Sequence, residues 1–297
     1  RLVVDPGIVW AMDQTSLLPI IIAYVGTMAT LAVAWTLAHS QRARLAVTLE
    51  STLWVLAATF IAILFERLLP GEGLQSHWGL GLLAAIWATM ALAQLYRMAG
   101  ATKFEGNVRR VLALLFGLMT FGTLLVQAFA HNPLDGSIIV GPPFFSSLAL
   151  AYLPLAAVLA LAAWKLPNLN REARVALALV STGFGAGYIG LSIRHFWRGP
   201  DLSVGGFSDA ELYTYTLAML LVSAGLLVMA FWKRAVWLRQ LALAGIGLTI
   251  AKVFLVDMSG LAGLLRVVSF MGLGLALLAL TWADRVMSAQ WERSEEV

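Results

Sequence analysis

The sequence predicts an all-α protein, a polytopic membrane bundle of about nine transmembrane helices in antiparallel hairpins. Three observations predict it. Hydrophobic residues make up 60% of the 297 positions and charged residues only 12%, against about 25% charged in an ordinary soluble domain. Mean hydropathy is +0.84, and the apolar residues are gathered into runs of the length that crosses about 30 Å of hydrocarbon, roughly 20 residues. The cations between these runs fall mainly on every second connection. Apolar runs recur along the whole chain, so a signal peptide does not account for them.

The runs occupy 17–38, 46–65, 78–96, 109–130, 144–164, 174–193, 211–232, 238–256 and 262–282. Backbone in lipid must satisfy its own hydrogen bonds, and the runs show no strict alternation, so helices are implied and not a barrel. The second run carries Glu50 about a turn and a half from its start, roughly 7 Å deep at 1.5 Å per residue. An intramembrane carboxylate is a functional candidate, but near a helix end it can also reach water or pair with a neighbouring Arg. The fifth run holds Pro154, which removes an N–H and is expected to kink the helix. The sixth holds Gly185-Ala-Gly187-Tyr-Ile-Gly190. That pattern matches a dinucleotide fingerprint only if a strand precedes it. Inside an apolar run, Gly183 and Gly187 predict close helix packing instead. Gly245/Gly247 and Gly272/Gly274 are read the same way.

Fourteen of the twenty Lys and Arg lie on one set of connections: Arg42, Arg44, Arg97, Lys103, Arg109, Arg110, Lys165, Arg171, Arg174, Lys233, Arg234, Arg239, Arg285 and Arg293. The other set holds Arg1, Arg67, Arg194, Arg198 and Arg266, and Lys252 lies within a run. The excess of cations marks the first set as cytoplasmic. The chain is therefore expected in a bacterial cytoplasmic membrane, starting outside and ending inside. Tyr96-Arg97, Trp164-Lys165, Trp232-Lys233 and Trp282 before Arg285 read as interfacial anchors with no catalytic role. The chain is read as one transmembrane domain over 1–297, and its first residue, Arg1, predicts the C-terminal piece of a longer polytopic protein. Glu66-Arg67, His131, Arg194-His195 and Asp257 recur about 64 residues apart, a faint repeat that evenly spaced spans would also produce.

Several chemistries find no support. There is no cysteine, which removes disulfides, thioether haem, iron–sulfur ligation and a thiol nucleophile. His39, His77, His131 and His195 stand singly, without zinc-ligand spacing. No cofactor or metal is expected. GLSIRH at 190–195 is not a nucleophile elbow, and no S-x-x-K or P-loop occurs. The sequence pI near 9.6 reflects topology, and nucleic acid is not an expected partner; membrane lipids are.

LTIAKVFLVDMSG, residues 248–260, places Lys252 inside an apolar run five residues before Asp257. On an α-helix those two lie about 140° apart, so no same-face pair is expected. The short turn that follows brings Arg266 to a similar depth on the next helix, with Asp257 or Ser259 able to cap that helix. Two cations level with each other repel unless an anion lies between them. Glu211 and Tyr215, one helical turn apart, could stand near them, with Asp209 capping their helix and Arg194 and His195 ending the one before. Arg194, His195, Glu211, Tyr215, Lys252, Asp257 and Arg266 thus form a candidate polar cluster at the outer ends of helices six to nine.

AELYTYTLAMLL, followed by KVFLVDMSGLAGLLRVVSFMGLGLALLAL, resembles the bacterial multi-pass membrane protein family catalogued as domain of unknown function 2339. The resemblance is specific over about 205–285. It implies Glu211, Tyr213, Tyr215, Lys252, Asp257, Arg266, Ser269 and Phe270 as signature positions, with Tyr-Thr at 215–216 standing where the family has Tyr-Ser. It implies kinship and no activity. The expected function is an inner-membrane protein handling an anionic envelope or lipid-linked substrate in an outward-facing pocket, by transport or transfer. The alternative is a scaffold whose charges only cap and pair helices. A transporter should show polar residues continuing from Glu50 through Gln94 and Gln127. An enzyme would use Glu211, His195 or Asp257 as acid or base.

Overall fold

The apolar runs fold as helices. The computed structural model describes residues 16–40, 42–68, 75–167, 169–234 and 236–257, together with 267–268, 271–272, 274–275, 277–279, 281–282 and 285. In order, the helices are α1 (Leu17–His39), α2 (Ala43–Leu68), α3 (His77–Met98), α4 (Lys103–Phe129), α5 (Ser147–Lys165), α6 (Arg171–Arg198), α7 (Asp209–Lys233) and α8 (Val236–Lys252). A π-helical turn, Val253–Asp257, continues α8. Among the described residues eight helices are long and apolar enough to span a membrane, and the chain is a polytopic helical membrane protein. The run expected at 262–282 falls largely outside the described residues.

Local chemistry sets the ends. Thr102 and Glu105 form a reciprocal capping box that starts α4 six residues before its apolar run. Ser76 accepts the Gly79 N–H at 3.1 Å, and Asn170 the Ala173 N–H at 2.9 Å. At α7 the expected cap, Asp209, is already the first helical residue. Ser208 does the capping, its hydroxyl accepting the Glu211 N–H at 3.2 Å. α6 runs on to Arg198, past the end of its apolar run, and stops at Gly199, whose φ of 77° suits a residue without a Cβ.

The chain divides into two compact units, 1–204 and 205–297, and each is described by itself. In the first, α3 is central: 61% of its most apolar window is buried, against 33% or less in every other candidate span. It packs on both α4 and α5, while α1 pairs with α2 and α5 with α6. One core joins α2, α3 and α4 through Ala58, Leu83, Trp87, Met90, Leu112 and Phe116. The Trp87 and Phe116 rings stack at 6.3 Å. Tyr24 of α1 packs with Leu56 and Ile63 of α2 and stacks on Phe60 at 5.4 Å.

The α3–α5 contact is made by small residues. Ala84, Ala85 and Ala88 lie against Leu155. At Gly81 the approach is closer still, for a Cβ there would stand 2.1 Å from the Ala151 carbonyl oxygen. Side-chain volume is therefore excluded at Gly81, as in other close helix crossings in membranes. By contrast, a Cβ on Gly183 or Gly187 would meet no described atom within 4 Å. The expected close packing of those two glycines finds no partner among the described residues. In the second unit Gly245 of α8 does pack closely, its would-be Cβ 2.4 Å from the Ser223 hydroxyl of α7.

Gly81→Ala should destabilise the first unit by about 1–3 kcal/mol, the usual range for forced overpacking, although alanine is the better helix former. Gly183→Ala should not. Thermal melts of the two purified variants in detergent check this, with a lowered midpoint for the first only.

Candidate functional site

In the second unit the sequence-predicted residues of α7 and α8 converge. The Ser208 cap fixes the first turn of α7 so that Glu211 turns inward, with none of its surface exposed. Four residues on, the Tyr215 hydroxyl donates to Glu211 Oε1 at 3.2 Å. α8 packs along α7, and Lys252, half-buried at its last turn, reaches across to it. The Lys252 ammonium donates to the Leu212 carbonyl at 3.1 Å and to Thr216 Oγ1 at 2.5 Å. These acceptors follow Glu211 and Tyr215 by one position each, so carboxylate, phenol, hydroxyl and ammonium occupy two successive turns of one helix end. A carbonyl and a hydroxyl of α7 hold the ammonium in place.

The ideal-helix argument for Asp257 does not carry over to the structure. The chain widens into a π turn immediately after Lys252, a form often found at functional sites. In such a turn residues i and i+5 stand closer around the axis than on an α-helix. Arg266 and Ser269 lie outside the described residues, and so does Phe270. Thr216 was missed as a site residue. Its only signal was the hydroxyl at the second position of the Tyr-Thr pair.

Arg194 and His195 belong to the first unit. The Arg194 guanidinium donates to the carbonyls of Leu202 (3.0 Å) and Val204 (2.7 Å). It holds down the segment after α6, which also forms a bridge between Asp201 and Ile138. Asp201 in this segment accepts the Ser203 N–H (2.9 Å) and hydroxyl (2.6 Å). The hydroxyl first, then the N–H, hold its carboxyl below the ordinary aspartate range. His195 is buried, and its Nδ1 meets no partner among the described residues.

The same end of the first unit contains a polar group that sequence reasoning did not assemble. His77 Nε2 and Ser147 Oγ are 2.9 Å apart. Ser147 Oγ also accepts the Val140 N–H at 3.2 Å, and Gln127 donates to the His77 carbonyl at 3.0 Å. An imidazole beside a hydroxyl is the start of a nucleophile arrangement. Here the exposures of His77 and Ser147 are 2% and 6%, so the pair is closed to substrate and ties the starts of α3 and α5 together. Gly141, at φ 100°, permits the bend before it, and a Cβ there would press on Phe145 and Ser146.

Glu50 sits at the other end of the first unit. It pairs with Arg97 of α3 and, at 3.5 Å, with Arg109 of α4. Arg109 also donates to the Arg97 carbonyl at 3.0 Å. One carboxylate thus joins three helices, which is the pairing alternative that its position near a helix end allowed. Among the described residues no three His, Cys, Asp or Glu side chains are placed to hold a metal ion.

The chain matches the family model described as predicted membrane protein (DUF2339) over residues 1–286, and it belongs to that family. The match reaches well upstream of 205–285, the stretch on which the resemblance was specific. No curated protein and no solved structure matches it.

Replacing Glu50 with Leu leaves two guanidiniums facing each other. It should cost roughly 1–3 kcal/mol, as for other hydrogen-bonded groups left without a partner, and Glu50→Asp less. The melting midpoint in detergent reads both, and equal midpoints for Glu50→Leu and the parent chain would exclude the strut.

Proposed function

We propose that this DUF2339 member lies in a bacterial cytoplasmic membrane, with its cation-rich connections and its C-terminal end in the cytoplasm. At the outward end of the second unit, Lys252 binds the anionic group of an envelope or lipid-linked component during its transfer or transport, beside Thr216 and Tyr215, with the buried Glu211 holding the Tyr215 hydroxyl. The observation that carries the reading is the direction of Lys252. A lysine this near a helix end could extend to the interface, yet it turns toward the α7 turn that bears a fully buried carboxylate. Ionisable groups inside a membrane are costly and mark functional sites by default. Arg266, expected level with Lys252, would supply the second cation.

Passage of a polar substrate through the first unit is no part of the proposal. Gln94 is buried toward the Glu50 end and Gln127 at the His77 end, and the apolar core of Leu83, Trp87, Met90, Leu112 and Phe116 stands between them. The scaffold reading has its own support in Arg194, which serves a loop, and in Glu50, which serves as a strut.

Thermal melts of the purified chain, titrated with inorganic phosphate and with acetate, test the proposal. A saturable rise in melting midpoint is expected for at least one anion, by the linkage of binding to stability. Lys252→Met should abolish the rise while remaining folded, and Lys252→Arg should retain part of it. No rise in the parent chain with either anion, or an undiminished one in Lys252→Met, would leave the scaffold reading in possession.

A further inference from the structure

The parallel helices α3 and α5 touch most closely near Gly81 and Ala151, toward the end where His77 meets Ser147. Toward their other ends a cleft of about 530 Å³ separates them. Leu92 and Ala93 of α3 line it, with Val158 and Leu161 of α5, and Lys165 stands at its mouth. A second cleft of about 380 Å³ lies between α1 and α2, lined by Met28, Trp35, Leu53 and Ala57. Trp54 and Arg97 line both, so the two are neighbours with one indole between them and one guanidinium in common. Each volume falls in the usual range of small-molecule sites, about 300–1,000 Å³.

The walls of both are almost wholly apolar. Thr89, which also lines the first cleft, has its hydroxyl turned back to the Ala85 carbonyl at 2.7 Å. The polar groups gather at one end. Glu50 lies between Arg97 and Arg109, a trio of net positive charge, and Lys165 adds another, its ammonium 4.0 Å from the centre of the Trp164 ring. Tyr96 and Trp164, beside these cations, are 57% and 70% exposed, as expected of rings at headgroup depth. Trp35, on the wall of the second cleft, keeps a buried indole N–H with no described partner, a donor suited to an ester carbonyl.

We infer that this end of the first unit is a binding site for one anionic diacyl glycerophospholipid. Its two chains occupy the clefts on either side of Trp54, and its phosphate rests on Arg97 and Lys165. Two apolar slots sharing a cationic end match the shape and charge of such a lipid, and basic pockets between membrane helices are a recurrent form of headgroup site. The site is separate from the one proposed around Lys252 and does not rest on it.

Native mass spectrometry of the full chain in detergent, with equal phosphatidylglycerol and phosphatidylcholine, tests the inference. One retained phosphatidylglycerol is expected, preferred over phosphatidylcholine by at least about fivefold, the weight of a single interfacial cation. Lys165→Gln should lower that preference about fivefold. Filling the first cleft with Ala93→Trp, or with Leu161→Trp at a more exposed position, should reduce retention of both lipids. Lyso-phosphatidylglycerol, with one chain, should bind more weakly. Equal retention of the two diacyl lipids would overturn the inference, as would full preference in Lys165→Gln or complete displacement by millimolar inorganic phosphate.

Discussion

A charge or polar group placed in about 30 Å of hydrocarbon has no water to turn to and must find its partners in the protein. Many of the polar placements among the described residues follow from that constraint, although the buried Gln94 amide meets no described partner. Lys252 donates to a carbonyl and a hydroxyl on α7. Glu50 takes guanidiniums from two other helices. Even the hydroxyls of Thr27, Thr59 and Thr123 turn back to carbonyls four residues earlier on their own helices. Polar residues are affordable here chiefly at helix ends, where caps, loops and neighbouring termini supply the missing partners.

The same constraint explains why the middle of the first unit is built from rings and small residues. α3 is surrounded because Gly81, Ala84, Ala85 and Ala88 let α5 come close on one side, while Trp87 and Met90 fill the space toward α2 and α4 on another. Lipid tails are as apolar as leucine, so burial alone gives little drive for helices to associate, and packing and interhelical hydrogen bonds must do more of it. A tight crossing near one end leaves a cleft at the other, under the cations of Arg97 and Lys165. One packing decision thus shapes both a closed polar end, around His77 and Ser147, and an open, basic, lipid-accessible one.

Much of this was legible before any coordinates. Run length located all eight described spans, since it follows from the thickness of the bilayer. Glu50 was readable as a charge near a helix end with an arginine partner in reach, and Glu211 with Tyr215 as a same-face pair. What escaped depends on which helices meet. Nothing in the isolated motif distinguishes Gly81, which is packed tightly, from Gly183 and Gly187, which meet no described neighbour. Arg194 was read into the charged cluster from its depth alone, and the loop carbonyls of Leu202 and Val204 that it serves lie on a path the sequence does not reveal. The π turn after Lys252 was hidden for a related reason: periodicity arguments assume one helical pitch throughout, and the widened turn changes which residues share a face.

The central claim is that the Lys252 ammonium is held against α7 and does not extend to the membrane surface. The chain has four lysines, at 103, 165, 233 and 252, so lysine side-chain nitrogens can be labelled and resolved with little overlap, and Lys252→Arg identifies the signal. The direct measurement is a solid-state NMR dipolar coupling between ¹⁵N at Lys252 Nζ and ¹³C at Thr216 Cβ, in bilayers. The account predicts a strong coupling from a rigid ammonium in contact with the Thr216 hydroxyl. A mobile ammonium with no coupling to Thr216 would contradict it.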